Sequence, residues 1–309
     1  MKHQIKITLL LLLMFVCTQL IGLIVIDAYA PKTTLNPTAN NVTIPYGMQP
    51  PEAPAGISLG SLIISLAIAV LIFFLLMKIK AKSLIKIWFT IVVFLTVSIA
   101  LTALMTKIFP GSNVRLDVIA LIIAIPLTFY KIFKRNMLVH NATELLVYPG
   151  LAAMFVPILN IWTCLILLVA ISIYDMWAVW HSSLMVNLAK FQIQKVQVFT
   201  GFLVPYMRKE DRIALKAAQK IKTQKARTAK LRKIKISMAL LGGGDVAFPL
   251  IFAGIVYRAS GLIPALIIVA GSTIALGLLF LYSKKGKFYP AMPFITAGCI
   301  AAWLITLLI

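Results

Sequence analysis

Long apolar runs, separated by short polar stretches, follow one another along almost the whole chain. Most runs reach about 20 residues, the length with which an α-helix crosses the hydrocarbon of a bilayer. The pattern predicts nine transmembrane helices, at about residues 7–26, 58–79, 85–106, 116–133, 142–159, 161–180, 236–257, 261–282 and 288–309. We therefore expect an all-α membrane protein.

The composition agrees with this interpretation. Of the 309 residues, 61% are hydrophobic and only 12% are charged. A soluble domain carries about twice that charged fraction. The composition excludes a water-soluble globular enzyme.

The charges are unevenly divided, with 30 Lys and Arg against 8 Asp and Glu, for a net charge of +22. If the amino terminus is cytoplasmic, every basic residue except Lys32, Lys107, Arg115 and Arg258 falls on the inner side. The positive-inside rule therefore predicts a multi-pass protein of the cell membrane with a cytoplasmic amino terminus. With this hydropathy, anionic lipid is the expected partner of the basic groups, and nucleic acid is not.

The polar stretches divide the chain into three parts. Residues 1–189 hold the first six helices and an exposed loop at 31–56, residues 190–235 form a basic cytoplasmic loop with 14 Lys and Arg, and residues 236–309 hold the last three helices. A signal peptide is the alternative for the first run, since Ala28 to Ala30 resembles a cleavage site. Val198 to Pro205 is a candidate amphipathic segment that gates access from the membrane.

Two acidic residues lie inside predicted helices. Asp175 is about five residues from the inner end of the sixth helix, and Asp245 is about ten residues into the seventh. An intramembrane aspartate costs about 2.5–3.5 kcal/mol on insertion scales, so each is a functional candidate. The other acids are expected at helix ends or in loops, in contact with water: Asp27, Glu52, Asp117, Glu144, Glu210 and Asp211.

If the sixth and seventh helices are antiparallel neighbours, Asp175 and Asp245 lie at similar depth. Facing each other, they can share one proton, because two like charges a few ångströms apart do not both ionise. Such a pair can hydrolyse a peptide bond: one carboxylate takes a proton from water while the other carboxyl donates one to the carbonyl oxygen. Alternatively, each acid hydrogen-bonds within the bundle or serves a proton or cation pathway.

The residues around Asp245 favour catalysis. Gly242, Gly243 and Gly244 precede it, and the absence of side chains lets a neighbouring helix or a substrate backbone come close. Pro249 follows four residues later and cannot donate to the Asp245 carbonyl. We expect a local distortion of the helix at the acid.

Three motifs resemble those of the presenilin and signal-peptide-peptidase family of intramembrane aspartyl proteases. They are Tyr174-Asp175 in the sixth helix, Gly242-x-Gly244-Asp245 in the seventh, and Pro290-Ala291-Met292-Pro293 at the start of the ninth. The family carries YD, GxGD and PAL motifs on the same helices. Met292 stands in place of the usual Leu, an apolar swap that conserves volume. Pro293 and the predicted orientation are presenilin-like, as in a microbial, archaeal homologue.

The resemblance implies roles for these residues. Asp175 and Asp245 would be the catalytic pair, with Tyr174 packed or hydrogen-bonded beside the first. The remaining motif residues would shape the site and bind substrate: Gly242, Gly243, Gly244, Pro290, Ala291, Met292 and Pro293. The family is thought to offer an edge strand to an unwound substrate, and Lys235 to Leu241 is the candidate here.

The resemblance also implies substrates and partners. We expect transmembrane-helix or signal-peptide-like substrates, contact with lipid, and no obligatory protein partner, although a homo-oligomer is compatible with the sequence. No cofactor or metal is expected, because Cys17, Cys164 and Cys299 have no metal-binding spacing and His140 and His181 are unpaired in sequence.

Two alternative functions use the same intramembrane acids. A prepilin or preflagellin peptidase also has a GxGD aspartate, but it lacks the other two motifs and usually has fewer helices. A proton- or cation-coupled transporter or channel would use Asp175 and Asp245 as carriers, and it would not need the glycines or the proline motif.

Overall fold

The computed structural model describes residues 5–29, 82–112, 114–134, 136–180, 200–206, 237–283 and 289–308, with helical positions at 64, 68, 71, 72 and 75. The expected loop 31–56, most of the second predicted helix, His181 and most of the basic segment 190–235 lie outside the described residues.

Eight helices and two strands make up the longer described ranges. In chain order they are α1 (Ile5–Tyr29), α2 (Lys82–Ile108), α3 (Leu116–Phe133), α4 (Met137–Phe155), α5 (Ile161–Trp180), β1 (Gly201–Tyr206), β2 (Ser237–Gly242), α6 (Gly243–Ser260), α7 (Leu262–Tyr282) and α8 (Met292–Thr306).

The helices follow the predicted apolar runs closely. The predictions for 116–133 and 161–180 coincide with α3 and α5, and most other ends differ by a few residues. Within the described ranges, α1, α2, α3, α5 and α7 are long and apolar enough to cross a membrane. The chain is therefore a multi-pass membrane protein, and the count of nine helices and the orientation remain predictions.

The start of the seventh predicted helix was wrong. Residues 237–242 form β2, which pairs antiparallel with β1 in the register Gly201 with Gly242 and Tyr206 with Ser237. The described part of the expected amphipathic segment 198–205 is likewise strand. The change from strand to helix falls within the run of three glycines, where the backbone is least restricted, and cross-strand hydrogen bonds satisfy the backbone groups that a helix would otherwise satisfy.

The sheet has one buried face and one exposed face, because successive side chains of a strand alternate in direction. Phe202 and Val204 of β1 are buried together with Ala239 and Leu241 of β2. The buried face joins the largest hydrophobic cluster among the described residues. The sheet is thus attached firmly to the helical bundle.

Helix α6 lies at the centre of the bundle. It is buried nearly all round between Val246 and Tyr257, and it contacts α1, α4, α5, α7 and α8. A helix that is apolar on every side needs such a surrounding. The strand β2 runs directly into this helix, so the sheet and the helical core share one continuous segment.

A polar contact joins three of these helices. Asp27 at the end of α1 accepts hydrogen bonds from Lys107 of α2 and Tyr257 of α6. The expectation that Asp27 would be solvated is therefore only partly met, since its side chain is partly buried in this contact.

Helices α7 and α8 pack at very short distance through two glycines. A Cβ atom added at Gly298 would lie 2.6 Å from the Ala275 Cβ and 2.7 Å from the Gly271 carbonyl oxygen. Small residues let helix backbones approach in this way within membranes. The contact determines where α8 begins relative to the rest of the bundle.

We predict that Gly298→Ala lowers the thermal unfolding midpoint in detergent, because the added methyl group forces α7 and α8 apart at a cost of about 1–3 kcal/mol. The matched control is Gly277→Ala, where the nearest atom would lie at an ordinary 3.7 Å. Helix propensity alone would leave the control unchanged or more stable. Equal midpoints for both variants would contradict the packing argument.

Candidate active site

Asp175 contacts the start of α8. Its side chain on α5 is only 5% exposed, and Oδ2 accepts a hydrogen bond of 3.1 Å from the Met292 backbone N–H. The backbone of Ala291 lies beside the same carboxyl group. The first N–H groups of a helix lack partners within the helix and favour a negative charge. The third motif therefore holds Asp175 through its main chain.

A second hydrogen bond joins the same two helices. The hydroxyl groups of Ser172 and Thr296 lie 2.8 Å apart, about one turn from the Asp175 contact on each helix. Both side chains are buried. Two contacts one turn apart fix the rotation of α5 against α8, and with it the direction of the Asp175 side chain.

Asp245 lies in the first turn of α6, and not deep inside a helix as expected. Gly242 is the residue before the first helical position, which makes Asp245 the third residue of the helix. From there the carboxyl reaches back to the Gly242 backbone N–H, the contact that an acidic residue makes in a capping box. A Cβ on Gly242 would stand 3.0 Å from Asp245 Oδ2. Any larger residue at position 242 would therefore push the Asp245 carboxyl out of its place.

The two carboxyl groups lie close enough for their charges to interact. Asp175 comes from the interior of α5 and Asp245 from the beginning of α6, two helices in direct contact. Asp175 is buried, whereas Asp245 is partly exposed. The arrangement places the two acids on neighbouring helices, with Asp245 three residues after the end of β2.

The middle glycine of the second motif contacts α4. A Cβ on Gly243 would stand 2.9 Å from the Tyr148 hydroxyl oxygen. The Tyr148 ring packs edge-on against Phe202 of β1, with 5.8 Å between ring centroids. Tyr148 thus connects the turn before Asp245 with the first strand.

A family model described as "Signal-peptide peptidase, presenilin aspartyl protease" matches residues 37–309. The chain belongs to this family. It is therefore an aspartyl protease, and Asp175 and Asp245 lie on its adjacent helices α5 and α6. The comparison with curated protein sequences found no match.

Solved structures show the same fold. The chain is similar to a presenilin family intramembrane aspartate protease in a C222 crystal form, at 18% identity and a TM-score of 0.60, over 98% of this chain and 99% of that chain. A structure of a presenilin family protease in a P2 crystal form also matches at 18% identity and 0.60, with 96% of each chain covered.

The presenilin-family motif residues differ in how closely they approach the two acids. Gly242 and the backbone of Ala291 and Met292 contact them, whereas Tyr174 is 46% exposed and lies beside Trp177.

The other motif residues lie around this contact. Gly244 is exposed, and a Cβ atom at this position would meet only the Phe248 ring, at 3.6 Å. Pro290 lies just ahead of α8, and Pro293 lies in its first turn. Gly244 thus leaves open space on the enzyme beside Asp245.

Sequence reasoning missed a buried polar cluster on α4. Glu144 was expected in water but is 0% exposed and pairs with Lys131 of α3 at 2.7 Å. His140 and Asn141 bind the backbone of β1. A signal was available: Glu144 follows His140 by four residues and Asn141 by three, and Tyr148 follows Glu144 by four, so these side chains lie along one side of a helix.

We predict that Gly242→Ala lowers kcat about 10- to 100-fold, because the new methyl group displaces the Asp245 carboxyl by a fraction of an ångström or more. Gly244→Ala is the matched comparison. Its methyl group does not clash with the enzyme, but it fills open space beside Asp245 where substrate would bind. We therefore expect a raised KM for substrate, with kcat changed by less than about 3-fold. Steady-state cleavage of a transmembrane reporter measures both. A lower kcat for Gly244→Ala than for Gly242→Ala would refute the assignment.

Proposed function

We propose that Asp175 and Asp245 together hydrolyse peptide bonds in membrane-embedded segments of other proteins. The observation that carries this proposal is the approach of two carboxyl groups on the adjacent helices α5 and α6, with Asp175 bound by the Met292 N–H and Asp245 beside Gly242. One carboxylate takes a proton from the attacking water, and the other carboxyl donates a proton to the carbonyl oxygen. No covalent intermediate is needed.

The outer edge of β2 is the proposed site for the substrate backbone. A helical substrate must unwind before cleavage, and its freed N–H and C=O groups then need partners. Met238 and Leu240 are 37% and 43% exposed, on the face of the sheet that is turned away from the core. Two residues after Leu240 comes Gly242, whose N–H contacts Asp245. A strand added here is led directly to the catalytic pair.

The proposed setting follows the distribution of charge. The protein would lie in the cell membrane with a cytoplasmic amino terminus, nine helices and a cytoplasmic segment 190–235, in the three parts given by the sequence. Transmembrane-helix or signal-peptide-like proteins would be its substrates. We propose that it acts without an obligatory protein partner, and the expectation of no cofactor or metal remains a prediction.

We predict that Asp175→Asn and Asp245→Asn each reduce cleavage at least about 10³-fold, because each removes a group that transfers a proton in the reaction. The measurement is proteolysis of a single-span reporter by purified protein in liposomes. Asparagine keeps the shape of the side chain, so thermal unfolding midpoints should stay near that of the wild type.

The same liposomes distinguish the transporter alternative. Proton or cation flux that requires both acids, in a wild-type protein that cleaves no reporter, would overturn the protease assignment. Full cleavage by either asparagine variant would overturn the assignment of Asp175 and Asp245 as the catalytic pair.

We predict that Leu240→Pro raises KM for the reporter about 10-fold or more, since proline removes one edge N–H from the strand. In the observed register the N–H of residue 240 points away from β1, so the β1–β2 pairing should survive. Leu240→Ala is the matched control, because it changes the side chain and leaves the N–H in place. Equal KM values for the two variants would contradict backbone pairing at this edge.

A further inference from the structure

The outer edge of β1 is occupied by side chains of α4. Asn141 makes two hydrogen bonds with Leu203: its Nδ2 donates to the Leu203 carbonyl at 2.8 Å, and its Oδ1 accepts from the Leu203 N–H at 3.0 Å. A neighbouring strand would make the same pair of bonds to this residue. The Asn141 side chain thus takes the place of a strand.

The next outward residue is bound in the same way. His140 Nε2 lies 2.9 Å from the Gly201 carbonyl oxygen, and Glu144 Oε1 accepts from the Gly201 N–H at 3.3 Å. Antiparallel pairing directs the groups of alternate residues outward, here those of Gly201, Leu203 and Pro205. Pro205 has no N–H to offer. All outward N–H groups of β1 are therefore bound or absent.

The binding side chains are themselves fixed. Glu144 pairs with Lys131 of α3 at 2.7 Å, and both side chains are almost fully buried. Tyr148, one turn further along α4, packs against Phe202 of β1 and reaches the backbone of Gly243. One face of α4 therefore contacts both the first strand and the turn that precedes Asp245.

We propose that Asn141 is a positioning residue of the substrate-strand site. Together with His140 and Glu144 it closes the outer edge of β1, so that a substrate strand adds only at β2, and it holds the sheet in the register that presents one peptide bond to the acids. This inference rests on the proposed function, because it requires that substrate pairs with β2.

The test compares Asn141→Leu with Thr143→Val in cleavage of the single-span reporter. Leucine removes both hydrogen bonds and keeps the number and branching of the side-chain heavy atoms. Thr143 is a matched control on the same helix, since its buried hydroxyl bonds only to carbonyl groups of α4 itself, those of Val139 and His140. For Asn141→Leu we expect KM to rise about 10-fold and the cut, located by mass spectrometry, to spread to neighbouring bonds. Thr143→Val should keep the wild-type KM and cut.

A second readout does not depend on proteolysis. In the Asp245→Asn background, hydrogen exchange of the Leu203 amide should speed up with Asn141→Leu and not with Thr143→Val. If Asn141→Leu does not fold, Leu203→Pro removes the same N–H from the strand side and should give the same rise in KM and spread of cuts.

The outcomes separate the two proposals. The positioning role would be overturned if Asn141→Leu kept the wild-type KM and a single unchanged cut. The same result for Leu203→Pro would overturn it if that variant is used. Neither result would affect the assignment of the catalytic pair. Cleavage that persists in the aspartate variants would overturn the proposed function, whatever the Asn141 result. Equal effects of Asn141→Leu and Thr143→Val would also overturn the positioning role, since only one of them contacts the sheet.

Discussion

Every peptide group that lies in a membrane needs a hydrogen-bond partner within the protein, and the site is arranged around this requirement. A protease of this kind must bind an extended substrate backbone within a membrane, where protein segments are otherwise helical. The sheet of β1 and β2 satisfies one set of groups, side chains of α4 satisfy a second, and the first N–H group of α8 is bound by Asp175. The outer edge of β2 then lies beside the reacting carboxyls.

The helices and the chemistry could be predicted from sequence because both are local. Apolar runs of membrane length located most helices, and aspartates inside such runs made Asp175 and Asp245 candidates, although Asp245 lies in the first turn of its helix and not deep inside it. The motif around Met292 was recognisable because prolines mark a helix beginning. These features depend on a few consecutive residues and on the general cost of a charge in lipid.

The strand pair and the α4 cluster could not be predicted in the same way, because they depend on contacts between distant residues. Residues 237–242 are apolar and continue into a helix, so periodicity does not separate them from it. Their partner β1 belongs to a stretch whose overall composition is basic. Glu144 looked solvated because its partner Lys131 lies on another helix, and burial of such a pair depends on packing that no short motif records.

The bond between Asp175 and the Met292 N–H has an evolutionary consequence. The donor belongs to the main chain, so the bond requires no particular chemistry of the side chain at position 292, only that this side chain fits its buried place. Leucine and methionine are close enough in volume to meet that requirement. What must be preserved is the residue at which α8 begins. That residue depends on the flanking prolines and on the glycines that pack α8 against α7.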